Sequence, residues 1–325
     1  MITVEGLCKT FKVAKRTAGF KAACRSLFRR EYVAVEALRD VSFQIREGEI
    51  VGYIGPNGAG KSTTIKIMSG ILVPDKGKCS ILGRTPWQDR ISHVKHIGVV
   101  FGQRSQLWWD VPVLDSFELL RDIYQIPQPE YKRNVDTCVE TLDLSDVLYK
   151  PVRQLSLGQR MRCEIAASLL HSPRILFLDE PTIGLDAVSK IAVRQFIKTM
   201  NAEKKVTVIL TTHDLSDIEA LTDRILLIGK GDILYDGDLP DLKKRFGAYK
   251  TITIDFVENK KPPVVPGTKL VTSSPGRASY LVDSGEVSVS EVITAFSGQL
   301  DLLDIMVQNP PIEEIIVKLY KEYAI

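Results

Sequence analysis

Residues 55–63 place three glycines, a lysine and two hydroxyls at a spacing that suits the binding of a polyphosphate. They match the pattern G-x-x-x-x-G-K-[ST] and lie between a predicted strand at 49–54 and a predicted helix at 61–69. Glycines let backbone N–H groups curl around phosphates, and the helix start adds positive potential. The lysine supplies a cation, and the next hydroxyl can ligate Mg²⁺. The predicted phosphate-binding residues are Gly55, Pro56, Asn57, Gly58, Ala59, Gly60, Lys61, Ser62 and Thr63.

Two carboxylates, Asp179 and Glu180, follow the apolar segment 175–178, which is typical of a buried strand. Beside a phosphate loop, an aspartate at this position can hold Mg²⁺ through water. The glutamate after it is then placed to orient and activate a water molecule against the γ-phosphate. These two motifs together predict a nucleoside triphosphatase that uses Mg²⁺, and they would fit many P-loop proteins.

A third segment, 155–160, reads Leu-Ser-Leu-Gly-Gln-Arg and precedes a predicted helix that runs to residue 171. Ser156 and Gly158 offer a hydroxyl and a backbone N–H at a helix start, which is a second anion site. This segment, just ahead of the Asp179 strand, resembles the signature sequence of ABC transporter ATPases. Leu157 departs from the glycine that is usual in that family.

The resemblance covers residues 1 to about 240 and implies a head-to-tail dimer. Ser156, Gly158 and Gln159 are then expected to bind the ATP held by the phosphate loop of the other subunit. Asp186, within Gly184-Leu185-Asp186, is expected in the loop that crosses the dimer interface. The dimer is either a homodimer or a heterodimer with a homologous subunit.

The family's order of motifs also implies roles for single residues. Phe11 matches the aromatic residue that stacks on adenine, and Tyr32 is its rival because an insertion follows Phe11. His213, after the apolar segment 206–212, matches the histidine that contacts the γ-phosphate. The catalytic residues implied are Glu180, His213 and Gln103, and the Mg²⁺ ligands implied are Ser62, Gln103 and Asp179.

The wording of the match is similar to the type-two exporter branch, which includes drug, ion and antibiotic exporters. It consists of Ser-Leu-Gly-Gln-Arg-Met-Arg at 156–162 and a C-terminal extension that ends Asn-Pro-Pro-Ile-Glu-Glu-Ile-Ile at 309–316. In that branch the ATPase is a separate chain that joins integral membrane permease subunits. The expected function is therefore the ATP-hydrolysing motor of an exporter, peripheral to the cytoplasmic side of the cell membrane.

Composition fits this expectation. The chain has 325 residues, a net charge of +3 and five scattered cysteines, which argues against nucleic acid binding and against a disulfide framework. The longest apolar runs have the length of strands and fall short of the ~20 residues of a spanning helix. We also expect no signal peptide at the N-terminus.

The elements that must position these residues alternate between strands and helices, which predicts an α/β fold. We expect an ABC nucleotide-binding domain at 1–240, with a helical subdomain at about 103–170, and a small C-terminal α+β accessory or regulatory domain at 241–325. Residues 12–34 form a basic insertion whose apolar residues share one helical face, so membrane-surface contact and packing on its own domain are both open. Trp108 and Trp109 are either core residues or part of a permease-coupling surface.

Two other functions stay open at this point. A non-transport ABC ATPase acting in translation or DNA maintenance usually carries two cassettes or a long coiled coil, and neither is seen in this sequence. The motor of an ABC importer differs from the exporter hypothesis only by analogy with family members.

Overall fold

The computed structural model describes residues 1–14, 32–102, 104–246, 249–257, 261–283 and 285–323. The chain divides into two compact units, Met1–Gly237 and Asp238–Ile325. Among the described helices, none combines the length and the apolar composition needed to cross a bilayer.

The first unit contains two sheets. Their strands are β1 (Ile2–Ala14), β2 (Tyr32–Ile45), β3 (Ile50–Ile54), β4 (Lys76–Ile81), β5 (Ile97–Phe101), β6 (Ile175–Asp179), β7 (Thr207–Thr211), β8 (Arg224–Gly229) and β9 (Asp232–Asp238). Strands β2, β1 and β4 form an antiparallel sheet, in that order, and the six-stranded sheet has the order β5-β6-β7-β3-β8-β9.

The helices of the first unit cover the strands and form a group between β5 and β6. They are α1 (Lys61–Met68), α2 (Arg90–Val94), α3 (Val113–Tyr124), α4 (Gln128–Leu142), α5 (Leu157–Leu169), α6 (Ala187–Lys204) and α7 (Leu215–Leu221). Helix α3 follows Pro112 and ends where Gln125 takes a left-handed conformation with φ 55°. Proline before a helix and a left-handed residue after it are the expected boundary signals.

Parallel pairing in the six-stranded sheet decides where the polar residues meet. Phe101 at the end of β5 pairs with Asp179, and Asp179 pairs with Thr211 at the end of β7. Strand β3, which leads into the phosphate loop, pairs in parallel with β7. The carboxyl ends of these strands therefore share one edge, where α/β sheets bind ligands.

The second unit is built around one antiparallel sheet, whose strands lie in the order Thr268–Ser274, Arg277–Asp283, Tyr249–Phe256 and Leu302–Gln308. Its core contains Ile252, Phe256, Tyr280 and Phe296, and the rings of Tyr280 and Phe296 have their centroids 4.6 Å apart. Its elements are α8 (Leu239–Phe246), β10 (Tyr249–Phe256), β11 (Thr268–Ser274), β12 (Arg277–Asp283), α9 (Val289–Gln299), β13 (Leu302–Gln308) and α10 (Ile312–Glu322). The α/β fold with an additional small α+β unit is thus confirmed.

The ends of the expected insertion are not helical. Lys12 pairs with Ala34 and Ala14 pairs with Tyr32, so β1 and β2 continue as an antiparallel ladder into the range 12–34. The basic residues at 15–31 and the expected helical face lie outside the described residues.

Candidate functional site

The phosphate loop owes its path to glycines that side chains would block. Gly58 and Gly60 have φ values of 81° and 114°, in the left-handed range that glycine adopts freely. A Cβ at Gly60 would lie 2.6 Å from the carbonyl oxygen of Ala37, and one at Gly55 would lie 2.3 Å from that of Ile228. Both contacts are too short for any larger residue, so the loop requires glycine at these positions.

Lys61 opens α1 and turns back over the loop. Its Nζ donates to the carbonyl oxygens of Gly55 at 2.6 Å and Pro56 at 3.1 Å. Burial lowers the pKa of Lys61, and the nearby carboxylates of Glu180 and Asp179 oppose that shift. The ammonium group thus donates to neutral carbonyl oxygens. The charged oxygens of a phosphate are stronger acceptors and could take their place.

Ser62 and Asp179 bring two oxygen ligands together across 117 residues of sequence. The Ser62 hydroxyl donates to Asp179 Oδ2 at 3.2 Å, and the Thr211 hydroxyl donates to Asp179 Oδ1. Hydroxyl and carboxylate oxygens suit Mg²⁺, which usually keeps waters and takes its other ligands from substrate phosphates. Ser62 and Asp179 thus fit a Mg²⁺ site that a bound triphosphate would complete.

Glu180 sits at the turn after β6 in an uncommon backbone conformation, with φ 57°. Its N–H donates to the carbonyl oxygen of Thr211 at 2.8 Å, which fixes the turn against β7. Glu180 Oε1 lies 3.2 Å from His213 Nδ1, so the structure pairs two predicted catalytic residues. A strained backbone held by its surroundings is common where a side chain must be aimed.

An open cavity of about 390 Å³ lies beside the loop. Its lining does not include Ser156, Gly158 or Gln159. Its lining residues are Asn57, Ser62, Lys66, Ile71, Phe101, Gly102, Arg104, Asp179 and Glu180.

Ser156 caps α5 and is engaged locally. Its Oγ accepts from Gln159 N at 3.2 Å, and Gln159 Oε1 accepts from Ser156 N at 3.0 Å, which forms a capping box. Leu157 is 40% exposed, and its Cδ2 would lie 2.2 Å from a Cβ at Gly184. The signature segment therefore packs against the Gly184–Asp186 loop of its own chain.

Asp186 caps α6 in the same way. Its carboxylate accepts from Ser189 N at 2.8 Å and from Ser189 Oγ at 3.0 Å. These hydrogen bonds lower the pKa of Asp186. The carboxylate is therefore ionised and fixed at neutral pH.

Phe11 and Tyr32 lie at different positions in the β1–β2 ladder. Phe11 pairs with Val35, and Tyr32 pairs with Ala14 at the end of the ladder. Tyr32 is 55% exposed, whereas Phe11 is partly buried. Gln103 lies outside the described residues. Beside it, Gly102 N donates to Asp179 O at 2.8 Å.

Sequence reasoning missed a buried cluster behind the site. Asp217 is fully buried and accepts from Thr182 Oγ1 and, at 2.7 Å, from Arg194 Nε. Thr182 follows Glu180 closely, and Asp217 follows His213, so the cluster ties these two turns together. Thr211 was missed as well, although a hydroxyl that ends the strand next to Asp179 was a signal that could have found it.

Comparison with known proteins agrees with this geometry. A family described as ABC transporter matches residues 38–183. The protein "ABC transporter ATP-binding protein NatA" of Bacillus subtilis is 31% identical over 219 residues, covering 67% of this chain and 89% of NatA. An uncharacterised ABC transporter ATP-binding protein, YhcH, of the same species is 37% identical over 195 residues, which is 60% of this chain and 63% of YhcH.

Two further matches cover more of the length or add a structure. The linearmycin resistance ATP-binding protein LnrL of Bacillus subtilis is 27% identical over 299 residues, covering 90% of this chain and 96% of LnrL. A dimeric structure of the ATP-binding cassette MJ0796 bound to ADP and Pi is 28% identical with a TM-score of 0.62, covering 74% of this chain and 99% of that one.

The phosphate loop, the Ser62–Asp179 contact and the signature segment are thus set in a cassette fold shared with these proteins. The extent of the match to NatA goes beyond a shared fold, since most of that protein is covered at 31% identity. The chain belongs to the family of ABC transporter ATP-binding proteins.

Proposed function

We propose that this chain is the ATP-hydrolysing motor subunit of an ABC exporter. The observation that carries the proposal is the contact of Ser62 with Asp179 at 3.2 Å, next to the Glu180–His213 contact at 3.2 Å. It puts a phosphate loop, two oxygen ligands for a metal and a candidate base at one sheet edge.

In the proposed reaction, Lys61 and the loop amides bind the β- and γ-phosphates of ATP. Mg²⁺, when bound, neutralises charge on those phosphates, and Ser62 and Asp179 would hold it. Glu180 orients a water molecule and accepts its proton, while His213 holds the Glu180 carboxylate and contacts the γ-phosphate. Gln103 is assigned to sensing the metal and the water.

Phe11 is our choice for stacking on adenine. The phosphate loop approaches β2 at Ala37, because a Cβ on Gly60 would nearly touch its carbonyl oxygen. Phe11 pairs with Val35, two residues from Ala37, whereas Tyr32 is five residues away, or about 17 Å along a strand. Phe11 therefore lies opposite the part of β2 that is nearer the phosphate loop, which favours it over Tyr32.

The second half of each site comes from a partner subunit. One chain has its signature residues Ser156, Gly158 and Gln159 outside the lining of the cavity beside Lys61. A head-to-tail pair of chains would bring them to the triphosphate of the other copy, with Asp186 in the interface. The solved cassette MJ0796 is a dimer, which supports this arrangement.

Permease subunits are the proposed membrane partners, and export is the proposed direction. LnrL, which matches most of this chain, is named for resistance to linearmycin. Trp108 and Trp109 are 43% and 52% exposed, which fits a coupling surface better than a core position. The motor would then work on the cytoplasmic face of a membrane, and anionic lipid is the proposed partner of the basic residues at 12–34.

Complementation between two inactive variants tests the shared site. Lys61→Ala removes the phosphate cation, and Ser156→Arg blocks the signature segment. A mixture of the two forms some dimers with one intact site, so we expect about a quarter of wild-type ATP hydrolysis if subunits pair at random. No recovery of activity, with mixed dimers present by native mass spectrometry, would contradict the proposal.

A further inference from the structure

Glu164 is a charged residue buried in the middle of α5, eight positions after Ser156. It is 4% exposed, and its carboxylate accepts from the Ser105 hydroxyl and, at 3.1 Å, from Gln106 N. The side-chain nitrogen Nε2 of Gln106 donates in return to the main-chain oxygen of Glu164 at 3.0 Å. Ser105 and Gln106 are therefore attached to α5 by hydrogen bonds to both the side chain and the backbone of Glu164.

The cost of burying this group explains why the contact must be kept. A buried carboxylate is tolerated only where donors replace water. Burial raises the pKa of Glu164, and the hydrogen bonds from Ser105 and Gln106 oppose that rise. Ser105 Oγ also accepts from Leu107 N at 3.1 Å, so loss of one hydroxyl would loosen the whole turn.

The two residues that flank Gln103, Gly102 and Arg104, hydrogen-bond to strands of the sheet instead of to α5. Gly102 N donates to Asp179 O at 2.8 Å, and Arg104 N donates to Phe101 O at 3.0 Å. Gly102 and Arg104 thus adjoin the sheet edge, whereas Ser105 and Gln106 adjoin α5. The attachment changes between Arg104 and Ser105.

A second set of contacts continues the attachment to the signature region. Arg153 N donates to Trp109 O at 3.0 Å, and Arg153 Nη1 donates to Asp110 Oδ1 at 3.0 Å. The Arg160 guanidinium lies 5.8 Å from the ring centroid of Trp109. These contacts lie at or near the surface, where such interactions are weak. The Glu164 contact, in contrast, is buried.

We propose that Glu164 is a positioning residue for ATP hydrolysis, which fixes residues 105–107 to the helix that follows Ser156. When nucleotide from a partner subunit engages Ser156, the displacement of α5 is passed through Glu164 to the backbone next to Gln103. The inference rests on the proposed function, since it assigns Glu164 a part in the turnover of the same composite site.

The experiment compares four variants of the full chain. Ser105→Ala removes one donor to Glu164, and Glu164→Ala removes the acceptor. Glu164→Gln keeps an acceptor for Gln106 N and adds a donor for Ser105 Oγ, so it should restore the contact. Ser168→Ala is the matched control, because it removes another buried hydroxyl on α5 that donates within the helix, to Ile165 O at 2.8 Å.

We expect Ser105→Ala and Glu164→Ala to lower kcat by about tenfold while KM for ATP stays within about twofold of wild type. Glu164→Gln and Ser168→Ala should keep kcat near the wild-type value. This separation of kcat from KM, with rescue by glutamine, is not expected of a residue that only stabilises the fold.

A wild-type kcat in Ser105→Ala would overturn the inference, and so would equal losses in Ser105→Ala and Ser168→Ala, which would indicate general packing. If Glu164→Ala does not fold, Ser105→Ala decides the question. A wild-type chain with no Mg²⁺-dependent ATP hydrolysis would instead contradict the proposed function, so the two failures are distinguishable.

Discussion

The phosphate loop and the signature segment are both helix starts that offer hydroxyl and N–H groups to an anion. Their hydrogen bonds within one chain nevertheless differ. At the loop, residues from one helix and two strands converge, since Asp179 on β6 accepts from both Ser62 on α1 and Thr211 on β7. At the signature segment, the side chains of Ser156 and Gln159 hydrogen-bond to each other's backbone N–H in the capping box. The loop has its supporting groups within the chain, whereas we propose that the signature segment binds nucleotide held by a second copy of the chain.

Among the variants that compare these two regions, Glu180→Gln has the largest expected effect, which is on the rate of ATP hydrolysis. The change removes a proton acceptor at the loop and leaves both anion sites in place. We expect hydrolysis to fall by on the order of 10²–10⁴-fold, as for loss of a general base. ATP should still bind and should now trap the dimer, as measured by size-exclusion chromatography with ATP.

Glu140→Gln is the control for this change, because Glu140 is an exposed carboxylate on α4. It should hydrolyse ATP at the wild-type rate. A wild-type rate in Glu180→Gln itself would show that the base lies elsewhere.

Ser156→Ala tests the signature segment instead of the phosphate loop. Loss of the cap should lower the free energy of unfolding by about 1 kcal/mol. Because the hydroxyl is expected to bind the partner's ATP, ATP-driven dimer formation should weaken about tenfold, with little change in ATP affinity of the single chain. Analytical ultracentrifugation and nucleotide titration measure the two effects separately.

Ser288 provides a matched control, since it caps α9 through the same capping box with Glu291. Ser288→Ala should lose a similar amount of stability without weakening the ATP-driven dimer. If both variants dimerise like wild type, the signature segment does not bind nucleotide.

Lys190→Gln has the smallest expected effect and concerns the link between the two regions. Lys190 on α6 donates to Asp214, which follows His213. Together with Ser216 it lowers the pKa of Asp214 from 3.8 to about 2. The pair therefore stabilises the fold above pH 3.8, and that contribution disappears as the pH falls towards 2.

The variant should be less stable than wild type by under about 1 kcal/mol at neutral pH, since the pair is partly exposed. The difference should shrink between about pH 4 and pH 2 in urea unfolding. Lys198→Gln, an exposed lysine on the same helix, should show no such trend. A difference from wild type that is constant with pH would rule out the Asp214 pair as its cause.

The sequence identified the fold class and the phosphate loop because both leave local signals. A glycine-rich segment between a strand and a helix, and a buried strand ending in Asp179, can be recognised without knowing any distant contact. The Ser62–Asp179 contact then follows from parallel pairing of strands.

Other features depend on contacts between distant segments and escaped prediction. The partners of Glu164, at Ser105 and Gln106, lie 58 or more residues away in sequence. The extension of β1 and β2 into residues 12–34 was read as part of an insertion, because exposed strands such as 32–36 lack a buried face and an alternating pattern. Sequence periodicity reports burial, and these strands have little of it.

The pairing of Ala14 with Tyr32 has one more consequence. It holds residues 14 and 32 side by side at the end of the β1–β2 ladder. Loop closure depends weakly on length, at about 0.6 kcal/mol for each doubling. The position is therefore a natural graft point, where a reporter peptide or a shorter turn could be exchanged without disturbing the nucleotide site.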